Sequence, residues 1–124
     1  MNTSVPIIDF PLAEGGAYQG ELLFERVEDL PEKVTPNARS DEGYIVGHSE
    51  TGHHHVVQDN DVDHFLASGK DAGLVSFLRV TGDHADVVHL RPYDTHHTLR
   101  LPKGTYRVRT QVEYRPEGWE KVVD

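Results

Sequence analysis

TYRVRTQVEYR, residues 105–115, sets Tyr106, Val108, Thr110, Val112 and Tyr114 alternately against Arg107, Arg109, Gln111, Glu113 and Arg115. Side chains of an extended chain point to opposite faces in turn, so period-two alternation over this length predicts a strand with one buried and one wet face. Pro116-Glu117-Gly118 then reads as a turn, with Trp119 to Val123 returning as a short strand. Upstream, Pro102-Lys103-Gly104 reads as a hairpin turn feeding the long strand.

The same punctuation recurs towards the N-terminus. Gly73 to Val80 predicts a strand, Thr81-Gly82-Asp83 a turn, and Ala85 to Leu90 the following strand. His53 to Gln58 is a strand before the turn Asp59-Asn60-Asp61, and His64 to Ala67 is a short strand or a single helical turn. Tyr44-Ile45-Val46 is a strand ended by Gly47, and Gln19 to Val27 is another. Leu30 to Gly43 is a loop dense in Pro, Asn, Ser and Asp. Residues 1–18 carry Pro6, Pro11 and Gly15-Gly16 around Val5, Ile7, Ile8 and Phe10, which excludes a regular helix and predicts an extended N-terminal arm. Its apolar residues must lie across this domain's own core or reach a neighbour's.

About eight short strands spaced by Gly and Asp turns, with no amphipathic helix, predict an all-β, single-domain small barrel or sandwich, cupin-like or jelly-roll-like, over residues 19–124. The length of 124 residues fits one domain. A hydrophobic share of 36% makes its core a modest one, which assembly would help to stabilise.

A formal net charge of −9 repels phosphates and anionic lipid, so the expected partners include neither nucleic acid nor membrane. Between Arg91 and Arg115 the sign reverses, with six bases against Asp94 and Glu113. Such a basic segment on an acidic body steers like subunits together or binds an anion; the plainer reading is a solvated strand face. The absence of cysteine excludes disulfides, thiolate metal sites and thiol nucleophiles. The sequence carries no signal-peptide pattern and no apolar run of membrane-spanning length. No G-x-S-x-G, phosphate loop or dinucleotide fingerprint is present.

Nine histidines are the compositional anomaly. In His53-His54-His55, the outer two project to one face of a strand and can chelate one divalent ion. His96 is the expected third ligand, with His97, His48 and Asp59 as additional candidates. Three imidazoles with an open position suit Zn, Fe, Mn or Ni. Ordinary strand histidines, hydrogen-bonded through both nitrogens, are the alternative.

Two resemblances follow from these segments. The H-x-H of His53–His55 with Asp59 after it, and Pro102-Lys103-Gly104, resemble the two cupin motifs. Arg107 stands at the second-motif histidine, and an aspartate replaces the glutamate. Gln19-Gly20-Glu21-Leu22-Leu23, Thr51-Gly52-His53-His54-His55, and His96 with Leu101-Pro102-Lys103-Gly104-Thr105-Tyr106, Val108, Gln111, Glu113 and Tyr114 resemble a family of small uncharacterised phage and bacterial β-proteins. In that family a second histidine stands where this chain has Tyr93. The resemblance implies that His53, His55 and His96 recur together, and it implies a phage context, in the virion or the host cytoplasm. The expectation is a non-enzymatic assembly protein, such as a capsid decoration or stabilising protein, acting as a homo-oligomer or on a capsid-like lattice. The alternative is a cupin-like metal-dependent enzyme or small-molecule binder using His53, His55 and His96.

Overall fold

A computed structural model describes residues 6–47, 54–89, 97–115 and 118–121, the stretches 112–115 and 118–121 by their backbone. The strands are β1 (Ile7–Asp9), β2 (Gly16–Gln19), β3 (Leu22–Val27), β4 (Val34–Pro36), β5 (Tyr44–Gly47), β6 (His55–Val57), β7 (Val62–Ala67), β8 (Val75–His89), β9 (Thr98–Thr110), β10 (Val112–Arg115) and β11 (Gly118–Lys121). The first nine form one sheet, antiparallel except where β1 runs parallel to β9; β10 and β11 form a separate hairpin. The fold is all-β. The helical structure among the described residues is one 3-10 turn, Gly69–Asp71, and no helix is long and apolar enough to cross a membrane.

The ladder of β8 and β9 organises the molecule. At 15 and 13 residues, both exceed the usual strand length. Their buried positions change parity halfway. Leu78 and Val80 give way to Ala85, Val87 and His89 on β8; Leu99 and Leu101 give way to Tyr106 and Val108 on β9. A change of parity needs an irregularity, and the register slips between Val80 and His84. The two halves of the ladder recruit different neighbours. β7 and β3 join the half holding Leu78 and Tyr106, while β6 and β1 join the half holding Val87 and Leu99. Residues from both halves meet in one core with Leu22, Phe24, Val46, Val57 and Val62. The sheet thus turns a corner at the slip and stays open, with β2 at one end of its strand order and β5 at the other.

This corner revises the expected turns. Thr81-Gly82-Asp83 and Pro102-Lys103-Gly104 lie inside β8 and β9 instead of ending strands. Gly104, at φ +150°, supplies the backbone freedom; Arg26 crosses it so closely that a Cβ there would stand 2.8 Å from the guanidinium. Arg26 donates to the Lys103 carbonyl at 2.9 Å, fastening the corner to β3. The 105–115 strand is broken at Gln111, whose N–H donates to the Glu21 carbonyl. Gln19 to Val27 is not one strand but two, joined by the Gly20-Glu21 turn with Gln19 opposite Leu22. The 30–43 loop contains β4, which pairs with β7.

Residues 6–18 of the arm lie along their own domain. β1 adds beside β9, and Phe10 enters the core with its ring edge-on to Tyr106, 5.1 Å between centroids. Ile7 and Ile8 remain exposed.

Candidate functional site

The Gly20-Glu21 turn positions the most unusual chemistry in the described chain. With Gly20 at φ +58°, the hairpin reverses in two residues and brings Gln19 and Glu21 to one end of the interior. Both side chains are buried there, beside His55 of β6 and His89 of β8. His55 and His89 face each other across the β6–β8 pair, and their rings stack at 4.1 Å with 4° between planes.

Hydrogen bonding fixes the protons of this cluster. The Gln19 amide nitrogen donates to the carbonyls of Val87 (2.9 Å) and His97 (2.7 Å). Rotating the amide by half a turn would set its oxygen against both carbonyls, so the orientation is determined. The Gln19 carbonyl oxygen therefore accepts from His55 Nδ1–H at 2.8 Å. A neutral His55 then turns an Nε2 lone pair towards Glu21 Oε1, 3.3 Å away. Two lone pairs repel; the contact becomes attractive with a proton or a cation between them. Glu21 Oε2 is also buried and has no hydrogen-bond partner among the described residues. Gly47 closes the wall, since a Cβ there would stand 2.6 Å from Leu22 Cδ1 and 3.0 Å from His55 Cδ2.

The structure distributes the predicted ligands as follows. His48, His53 and His96 lie outside the described residues. His55 is fully buried, and His97 meets it through Gln19. Asp59 is engaged elsewhere: its carboxylate accepts the Asp86 N–H at 3.0 Å, and its carbonyl accepts from Arg39. Among the described residues no three His, Cys, Asp or Glu side chains gather as metal ligands do. A transition metal nevertheless suits the local chemistry. Imidazole Nε2 and carboxylate are both ligand types, two ligands of one tetrahedral ion stand roughly 3.3 Å apart, and a carbonyl on Nδ1–H is the usual orienting contact. Sequence reasoning missed Gln19, Glu21 and His89. The signal for the first two was the glycine between them, which marks a hairpin turn.

Three of the six bases of the basic segment, Arg100, Arg107 and Arg109, are paired with carboxylates. On the wet face of β9, Arg107 contacts Glu25 at 2.9 Å, Arg109 the same carboxylate at 3.6 Å, and Arg100 binds Asp86 through two hydrogen bonds. The hydrogen bond and charge of Asp86 raise the Arg100 pKa above its already high ordinary value. Arg107 and Arg109 also join Lys33 and Lys70 around a surface groove of about 560 Å³, with Asp71 as its acid. In the core, burial pushes the Tyr106 phenol up to about 12, and its hydroxyl donates to the Pro102 carbonyl at 2.6 Å.

Comparison with functionally curated proteins yields no match, and comparison with solved structures yields none. A family model matches residues 18–111, which include the Gln19–Glu21 hairpin, the whole β8–β9 ladder and both buried histidines of the cluster. The chain belongs to the DUF8820 family, a domain of unknown function.

Proposed function

We propose that this protein is a non-enzymatic assembly protein, of the capsid decoration or stabilising kind, that meets further copies of itself through its N-terminal edge. One observation carries the reading. Of the five large hydrophobic residues exposed among those described, four (Ile7, Ile8, Leu12 and Tyr18) fall within a twelve-residue span, each about half accessible. Among the described residues the strands in that span, β1 and β2, each pair on one side only, beside apolar side chains. A stretch of this kind on an acidic protein invites strand addition or apolar contact. The groove with four basic residues offers a complement to the acidic body of another copy. The phage context rests on the resemblance of the Gln19–Leu23, Thr51–His55 and His96–Tyr114 segments.

Native mass spectrometry of the untagged chain, with and without chelator, tests this reading. We expect an oligomer that survives chelation. Substituting Ile8→Asp together with Tyr18→Asp should shift it to monomer while circular dichroism stays unchanged. A wild-type chain that remains monomeric at high micromolar concentration, alone and with a particle lattice, would refute it.

A second reading is favoured by the Nε2-to-carboxylate contact of His55 and Glu21 and the buried Oε2: a cupin-like metal-dependent enzyme or binder using His53, His55 and His96. One metal per chain in the same spectra, lost on His55→Ala with assembly intact, would put this reading first.

A further inference from the structure

We propose that the basic groove beside β4 receives the Asp41-Glu42 turn of a second copy of this chain, head to tail. The inference rests on the assembly reading and adds a second, weaker contact to the one at the N-terminal edge.

The groove, about 560 Å³, is lined by Val75 and Phe77 of β8 and by Lys33, Lys70, Arg107 and Arg109. Four of the chain's twelve Lys and Arg thus meet at one place on a chain of net charge −9. Two of the four are already engaged, since Arg107 and Arg109 share the Glu25 carboxylate. Lys33 and Lys70 are exposed and make no ion pair among the described residues. Their backbone is nonetheless fixed. Lys33 stands directly before β4, where Val34 pairs with Ala67, and Ser68 Oγ donates to the Lys33 carbonyl at 3.2 Å. Lys70 lies in the 3-10 turn that follows β7. With Asp71 as the acid in its described lining, the groove keeps an excess of positive charge that a partner of opposite sign neutralises.

The same chain carries a matching group. Asp41 and Glu42 form the tip of a turn that Ser40 and Gly43 close with backbone hydrogen bonds in both directions, at 2.9 and 3.0 Å. Ser40 Oγ donates to the Gly43 carbonyl as well, at 2.7 Å. Gly43, at φ +110°, lies so close to β6 that a Cβ would stand 2.5 Å from the Val57 carbonyl oxygen, which pins the turn to the sheet. Both acids are exposed, and neither carboxylate has a hydrogen bond or ion pair among the described residues. By contrast, Asp29 accepts the Leu30 N–H, Asp59 accepts the Asp86 N–H, Asp63 meets Arg79 and Asp86 binds Arg100. Adjacent like charges held on a fastened turn repel each other, and cations in a facing groove relieve that repulsion. Groove and turn are different patches, so the contact repeats from copy to copy into a ring or a chain. Exposed ion pairs are weak and screened by salt, so this contact forms at high protein concentration and low ionic strength.

The test is sedimentation velocity of the full chain at high micromolar concentration. We expect Lys33→Glu with Lys70→Glu, and Asp41→Lys with Glu42→Lys, each to weaken association about tenfold with circular dichroism unchanged. An equimolar mixture of the two variants should restore it, because each then meets the opposite sign at both contacts. The chain carrying all four substitutions should recover in the same way. Wild-type association in either variant alone, or no recovery in the mixture, would overturn the proposal. So would wild-type association that stays constant between about 50 and 500 mM salt, a result that needs no variant. The Ile8→Asp, Tyr18→Asp chain separates the two contacts. Association lost there but insensitive to the charge reversals removes the groove contact and keeps the edge; the converse result removes the edge alone.

Discussion

His55 and His64 are both almost wholly buried on inner faces of the same sheet, yet their protons are placed in opposite ways. His55 donates from Nδ1 to the Gln19 carbonyl oxygen; His64 accepts at Nδ1 from the Asn37 amide nitrogen. One ring therefore turns a lone pair towards a carboxylate, and the other carries its proton on Nε2 in the wall of a cavity whose lining, among the described residues, holds no Asp, Glu, Lys or Arg. The surroundings differ in the same sense. Around His55 stand a glutamine, a glutamate and a stacked imidazole, whereas His64 lines a cavity of about 310 Å³. A buried histidine is thus defined by the amide that meets it, and burial alone does not say what its second nitrogen can do.

Substitutions around the two histidines should separate them sharply. The largest effect is expected from Gln19→Leu. It removes the hydrogen bonds that the amide makes to the Val87 and His97 carbonyls and to His55, each worth about 0.5–1.5 kcal/mol, so urea denaturation should report a loss of about 2–4 kcal/mol. Next comes Gly47→Ala, which pushes a methyl group against Leu22 and His55; overpacking of this kind costs about 1–3 kcal/mol. Beside His64 the parallel change, Ser76→Val, adds bulk on the cavity side and should alter stability by less than about 1 kcal/mol. An equal loss from Gly47→Ala and Ser76→Val would break the contrast between the packed surroundings of His55 and the cavity beside His64.

Tyr106, in the core, serves as a pH reference. Its folded pKa, about 12, lies above the ordinary value of 10 because burial disfavours the phenolate. The unfolded chain therefore loses this proton first, and the stabilisation is complete below pH 10 and declines as pH rises from 10 towards 12. Tyr106→Phe should remove that alkaline decline, at about 1 kcal/mol of stability near neutrality for the lost hydrogen bond to Pro102. Thermal melts at pH 8 and pH 11 measure both effects.

The fold class was legible because alternation is a local property. Tyr106 and Val108 against Arg107 and Arg109 mark a half-buried strand whatever their partners. The corner was not legible. Thr81-Gly82-Asp83 and Pro102-Lys103-Gly104 have the composition of turns, and a local reading cannot tell a chain reversal from a kink inside two paired strands. The clue was the parity of the apolar residues, odd at Leu99 and Leu101 but even at Tyr106 and Val108. Its meaning depends on β8 bending at the same level. The candidate site was half legible. His55 stood out as a histidine in a strand; Gln19 and Glu21 looked like ordinary polar strand residues until the turn between them was seen.

The sequence by itself determined the strand-forming segments, the absence of thiol chemistry, the acidic surface and the unusual supply of imidazoles, because composition and period-two pattern act residue by residue. Only the tertiary structure decided that one bent ladder serves both halves of the sheet, that Arg100, Arg107 and Arg109 are paired with carboxylates, and that His55 and His64 carry opposite protons. Those outcomes depend on groups far apart in the chain, Gln19 with Val87 and His97, Asn37 with His64, Glu25 with Arg107. A hydrogen bond places a proton only once both of its partners have been brought to the same point.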